Sequence, residues 1–460
     1  MNATAKIGPL LATVLVAGNM IGSGIYLLPA TLATVGGISL WGWVAATAAA
    51  LCIALALARL AALDPQAGGP CAYAERRFGR YLGFQSYLLY TTLCWAGNLG
   101  VAIAAIGYLA ALIPGAAIGW HGTTASIALI ALLTLLNVQG SRRVCQFDAF
   151  TMVAGMLPVV LVATLGWTHF DAALFRQSWN PTALPLRSAL PQSLLLVFWA
   201  FLGLESASMA AAVVENPKRN IALATIGGVL LAAVLYIAAS AAIFGLLPVA
   251  ALKNSSAPFA DATRVLLGPT AAGLVAIAAL IKTVGTLSGW ILVAAQTGQA
   301  AAARGFLPHA LERVDHRGVP VRALIVASGF TCLVALLTES PTLAQQFETL
   351  VDLSVLLALL VYIYALLTLL SPRHAAKGAV SAISATDAIG ATGASGAIGA
   401  IGAIGAIGWF YQLCALLGIL FCAYVLLSSP AYMLWLLVAM LAITVPVYAL
   451  WVRPRAARAP

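Results

Sequence analysis

Charge is what this sequence has least of. Only 8% of its 460 residues are charged, 13 of them acidic, and there are five histidines. Hydrophobic residues make up 62%, and the mean hydropathy is +1.01. No soluble domain buries that much apolar surface, which leaves a polytopic membrane protein. The apolar runs hold no H-E-x-x-H, no P-loop and no His/Asp cluster, and no segment reads as a soluble output domain. Those absences speak against a membrane-embedded enzyme or a sensor. Seven cysteines lie mostly in apolar runs without C-x-x-C pairing. They read as small buried side chains, so neither a metal nor a cofactor is expected. A channel would need a continuous polar lining, whereas the polar residues within the spans gather at one depth.

What is abundant is span-length hydrophobicity. Twelve runs are long enough to cross a bilayer, at about 8–30, 40–61, 83–112, 122–138, 146–168, 190–213, 222–247, 270–299, 321–338, 345–370, 409–428 and 430–452. The first is no removable signal peptide, since it continues past Gly24 and many more follow. With the N-terminus inside, Arg176, Arg187, Lys253 and Arg264 fall outside and Lys282 within a span. All the others of the 23 Lys and Arg fall inside. This asymmetry places both termini in the cytoplasm and makes the net charge of +10 a matter of topology.

Two apolar runs are interrupted at matching places, at Gly18-Asn-Met-Ile-Gly-Ser-Gly24 in the first and Phe201-Leu-Gly-Leu-Glu-Ser206 in the sixth. Paired breaks in two halves of a membrane chain point to a transporter's central site. Runs 1–5 lie over runs 6–10, and five is odd, so the halves are inverted repeats. The expected fold is all-α with twelve transmembrane helices, a five-plus-five inverted repeat with helices 1 and 6 broken. Residues 1–370 form the transport core, 371–408 a low-complexity cytoplasmic linker, and 409–460 the last two spans and a tail. The linker ends in a Gly-Ala-Ile repeat whose glycine content argues against a stable helix; a flexible extension of span 11 is the alternative.

Breaking a helix at Gly22-Ser23-Gly24 exposes backbone N–H groups that attract a carboxylate. Ser23 adds a hydroxyl, and the carbonyls near Met20 and Ile21 can accept from an ammonium. The competing reading is close helix packing through small residues. Glu205 is sharper: a carboxylate near mid-bilayer costs about 2.5–3.5 kcal/mol, so it is functional by default. Trp199 and Trp290 offer aromatic faces to a cationic substrate, although Trp at this depth also serves packing. Cys94 and Asn98 are one turn apart and share a face. Lys282 lies roughly 12 Å along the helix axis before Trp290. It pairs with Asp352 as a structural tether, or the two act separately, Lys282 as a cation at the site and Asp352 as a carboxylate for a basic substrate.

These residues carry a resemblance. Gly18-Asn-Met-Ile-Gly-Ser-Gly-Ile-Tyr-Leu-Leu-Pro29, Gly68-Gly-Pro-Cys-Ala-Tyr-Ala74, Trp199-Ala-Phe-Leu-Gly-Leu-Glu-Ser206, Val214-Glu-Asn-Pro-Lys-Arg-Asn220 and Gly285-Thr-Leu-Ser-Gly-Trp290 are the stretches concerned. Over about 7–370 the chain resembles the amino acid–polyamine–organocation superfamily, and within it the basic amino acid/polyamine antiporters, most closely those for arginine and agmatine. The resemblance implies that Ser23 and Gly24 bind the substrate carboxylate and that carbonyls of Met20, Trp199 and Leu202 take the α-ammonium. Leu93 and Cys94 (through their carbonyls), Asn98 and Ser354 would receive a guanidinium stacked on Trp290. Tyr90, Glu205 and Tyr362 would close the gates. It further implies a homodimer in a bacterial inner membrane, exchanging external arginine for internal agmatine in acid resistance. The alternatives are another basic amino acid and its polyamine, or proton-coupled import. Some positions depart from the pattern. Leu93 replaces an expected alanine and tightens the pocket, Cys71 differs, and Lys282 disfavours a nearby cation. The stretch Leu-Val-Asp352-Leu-Ser is similar to that of putrescine/ornithine carriers.

Overall fold

The computed structural model describes residues 8–64, 69–113, 120–205, 217–338, 343–370 and 394–453. Within some helices the backbone alone is described, as at Ser23. Ser206 and the linker up to residue 393 lie outside the described residues.

Among the described residues each apolar run is helical over most of its length, and no strand occurs. The first span is two helices, Pro9–Met20 and Ser23–Leu32. Leu40–Leu63, Arg80–Leu112, Trp120–Val138 and Ser141–Leu165 form the second to fifth. The sixth runs over Leu186–Phe198 and tightens into a 3-10 turn at Trp199–Phe201. Pro217–Leu246, Pro258–Ala303, Val321–Leu337 and Leu343–Leu369 are the seventh to tenth, and Ala394–Leu427 and Ala431–Val447 the last two. Eight of these helices are long and apolar enough to cross a membrane. Gly122–Val138, Leu186–Phe201 and Val321–Leu337 are apolar but shorter, and the interrupted first span completes the twelve.

The helices are apolar all round because lipid replaces water on their outer faces, where the backbone must satisfy itself. Leu132, Leu135, Phe150, Val153 and Leu157 are exposed there. The eighth helix is kinked at Gly268, whose φ of 83° requires glycine. Pro269 then restarts the helix, so the membrane run opens where the sequence placed it.

The glycine-rich repeat differs from expectation. From Ala394 the chain is helical and continuous with span 11. Each glycine costs about 1 kcal/mol against alanine, but the repeat holds no Pro, Asn or Asp to supply a competing turn.

The core is built around the long third and eighth helices, which pack on each other, with the tenth against the third. Of the interrupted spans, Pro9–Met20 packs on the seventh helix and Ser23–Leu32 on the third and eighth, while Leu186–Phe198 packs on the second and tenth.

Candidate functional site

The first break is made by Ile21 (φ −71°, ψ 81°) and Gly22 (φ −126°, ψ −147°). The Gly22 N–H turns back to donate to the Met20 carbonyl at 2.8 Å. The second half-helix starts at Ser23, so its leading N–H groups have no intrahelical acceptor and carry partial positive charge. In the sixth span, Leu202 is extended (φ −62°, ψ 138°) and Gly203 has a φ of 98°, the left-handed conformation that glycine permits.

The two breaks touch. A Cβ on Gly24 would lie 3.0 Å from both Ala200 Cα and Trp199 Cδ1. Behind the sixth-span break, Phe201 packs against Trp43 and Tyr236 with ring centroids 6.1 and 5.9 Å away. Behind the first, Tyr26 donates to the Gly155 carbonyl, and its own carbonyl accepts from the Tyr108 hydroxyl at 3.0 Å. Irregular backbone is thus held by aromatic side chains of spans 2, 3 and 7 and by a carbonyl of span 5.

Between the breaks lies a cavity of about 30 Å³, roughly one water's share of liquid volume. Met20, Gly24, Leu93, Cys94, Trp199, Leu202 and Trp290, all expected at the site, line it together with Thr286 and Gly97. Gly97 leaves room for an indole, since a Cβ there would stand 3.2 Å from Trp199 Cη2 and 3.7 Å from Ser354 Oγ. Asn98 and Ser354, also expected at the site, are buried but are not among the residues that line the cavity. Four polar atoms here have no hydrogen-bond partner: Asn98 Oδ1, Trp199 Nε1, Thr286 Oγ1 and Ser354 Oγ. Leaving each unpaired costs about 1–3 kcal/mol, so a polar ligand that pairs them recovers that cost. The side chain of Ser23 lies outside what is described.

Glu205 follows the left-handed Gly203 by two residues, at the end of the sixth-span break. It is 4% exposed. The Tyr90 hydroxyl donates to its Oε1 at 2.8 Å, and the Tyr362 hydroxyl donates to its Oε2, also at 2.8 Å. The Gly203 N–H reaches Oε2 at 3.2 Å. One carboxylate therefore ties spans 3, 6 and 10 at the depth of the breaks, and the three gating residues read from the sequence meet at one point.

A second cavity, of about 280 Å³, shares Thr286 and Trp290 with the first. Tyr90, Glu205, Thr286 and Trp290 line it, with Cys145, Asp148, Lys282 and Gln296. Lys282 is 2% exposed and its Nζ lies 3.5 Å from Asp148 Oδ1. The expected alternative, a Lys282–Asp352 pair, is therefore corrected. Its partner is on span 5, where Gly155 makes room for the lysine stem: a Cβ there would fall 2.1 Å from Lys282 Cγ. Asp352 stands on another face of span 10. Two residues along a helix turn it by about 200°, so with Ser354 beside Gly97, Asp352 faces Glu348 and Tyr432 and lines neither cavity.

Sequence reasoning missed Thr286 and Asp148. Thr286 is one helical turn from both Lys282 and Trp290, so spacing alone would have found it. Asp148 had a fainter signal, a lone carboxylate within the fifth apolar run.

Comparison with known proteins agrees with this geometry. A family model described as amino acid permease matches residues 7–379. The chain is 37% identical over 375 residues to the cadaverine/lysine antiporter of Escherichia coli strain K12, covering 80% of this chain and 84% of that protein. It is 34% identical over 369 residues to the putrescine transporter PotE of Haemophilus influenzae, covering 79% and 84%. The Escherichia coli K12 putrescine transporter PotE is 34% identical over 364 residues, covering 79% and 83%. With two broken helices meeting at a buried cavity and a buried carboxylate nearby, this chain is a multi-pass membrane transporter, not an enzyme, and it belongs to the amino acid permease family.

Proposed function

We propose that the protein exchanges a basic amino acid for its decarboxylated diamine, with lysine and cadaverine or ornithine and putrescine as the substrate pair. The observation that carries this reading is the Glu205 gate: a buried carboxylate, held by Tyr90 and Tyr362, beside a cavity walled by Trp199 and Trp290. An anion and two indole faces suit a primary ammonium in a water-poor site. The head of an amino acid would sit at the first break, carboxylate on the N–H groups after Gly22 and α-ammonium on carbonyls near Met20 and Leu202. Its distal amine would reach Asn98 and Ser354.

Arginine for agmatine is the weaker reading. Three relatives are named for cadaverine, lysine or putrescine. Leu93 also narrows a cavity that is already small, and a planar guanidinium needs more width than an ammonium. The side bearing Arg80, Arg142, Arg143 and Arg304 faces the cytoplasm on the positive-inside rule, so the larger cavity opens inward. Admitting substrate parts Trp199 from Trp290, and alternating access rocks the helices around the two breaks.

Counterflow in proteoliposomes tests this. Internal cadaverine or putrescine should drive uptake of labelled lysine or ornithine well above uptake into empty vesicles. Uptake that ignores the internal amine and follows an imposed pH gradient would replace exchange with proton-coupled import. Stimulation by agmatine alone would restore arginine.

A further inference from the structure

The ammonium of Lys282 is not used by the site between the breaks, yet it lines the larger cavity from within the membrane. Lys282, Thr286 and Trp290 recur every fourth residue and form one stripe of the eighth helix. All three line this cavity, with Glu205 and Asp148 also on its walls. The space therefore presents one buried cation and two carboxylates. Asp148 takes one direction of the ammonium at 3.5 Å, longer than a good hydrogen bond. An ammonium has three donors, and among the described residues Asp148 is the carboxylate that pairs with it.

We infer that this cavity is a second, vestibular binding site for the zwitterionic head of an amino acid, with its α-carboxylate on Lys282 and its α-ammonium on Asp148 or Glu205. The inference rests on the exchange reading above. An amino acid leaving the first break gives up the N–H groups that held its carboxylate, and Lys282 is the buried cation on the way out. A diamine has no carboxylate to offer, and both its charges must pass an ammonium. Lys282 thereby discriminates between the two exchanged substrates on one side of the membrane, favouring occupancy of the vestibule by the amino acid.

The test is the KM of internal lysine against that of internal cadaverine, in oriented proteoliposomes driven by external labelled lysine. In Lys282→Met the ratio should move toward cadaverine by about tenfold, the worth of one charge-assisted hydrogen bond. Lys282→Arg should keep the wild-type ratio. Should Lys282→Met fail to fold, the double variant Lys282→Met/Asp148→Asn removes the pair together and leaves no stranded charge; the same shift is expected. A purely structural lysine would lower the amount of folded protein and leave the ratio unchanged, and that result overturns the inference. Wild-type protein that exchanges neither substrate overturns the exchange reading instead, so the two failures are distinct.

Discussion

The two cavities that meet at Trp290 differ in kind. The one between the breaks is about 30 Å³, aromatic and glycine-lined, and its unpaired atoms are neutral dipoles. The vestibule is about 280 Å³ and carries Glu205, Asp148 and Lys282. Neutral dipoles and helix ends can hold a charged ligand without placing a full charge against it, which keeps release possible. Full charges belong where the substrate is selected and the passage is closed. The contrast teaches that, in the proposed exchange cycle, binding and gating would be carried by different chemistry.

The strongest way to break that division is at Glu205. Glu205→Gln preserves shape but removes the charge, and its amide can accept from one of Tyr90 and Tyr362 while donating to the other. Exchange should fall by about a hundredfold, since charged hydrogen bonds are worth about 1.5–3 kcal/mol. Exchange rates near wild type would mean that shape alone closes the gate.

Next comes Trp290, the aromatic wall shared by both cavities. Trp290→Ala should leave a folded protein by size-exclusion chromatography and weaken lysine binding by roughly tenfold, in keeping with a desolvated cation–π contact. Undiminished affinity in an equilibrium binding assay would remove the indole from the site. The smallest effect is expected at Leu93, which lines only the narrow cavity. Leu93→Ala should widen it and raise agmatine-driven counterflow by a few-fold relative to cadaverine. An unaltered preference would mean that width does not exclude the guanidinium.

Much of this organisation is legible in the sequence. Span-length runs gave the twelve helices, and glycines beside a buried carboxylate marked both breaks, because such residues are costly in a membrane without a use. Helical spacing put Cys94 and Asn98 on one face. Partnerships between spans were not legible: Lys282 meets Asp148 because spans 5 and 8 pack through Gly155 and Gly285, where a Cβ would meet Lys282 and Thr151. Nothing in a linear pattern fixes that register. The Gly-Ala-Ile repeat misled for another reason. Glycine content weakens a helix without forbidding it when no alternative turn is available.

The most direct measurement is the density of bound substrate in a cryo-electron microscopy reconstruction of the protein saturated with cadaverine. The account predicts an elongated ligand between Gly24 and Trp290, with Trp199 displaced from its position against Gly97 and one amine directed toward Asn98 and Ser354. A ligand bound away from the two breaks, with Trp199 unmoved, would contradict it.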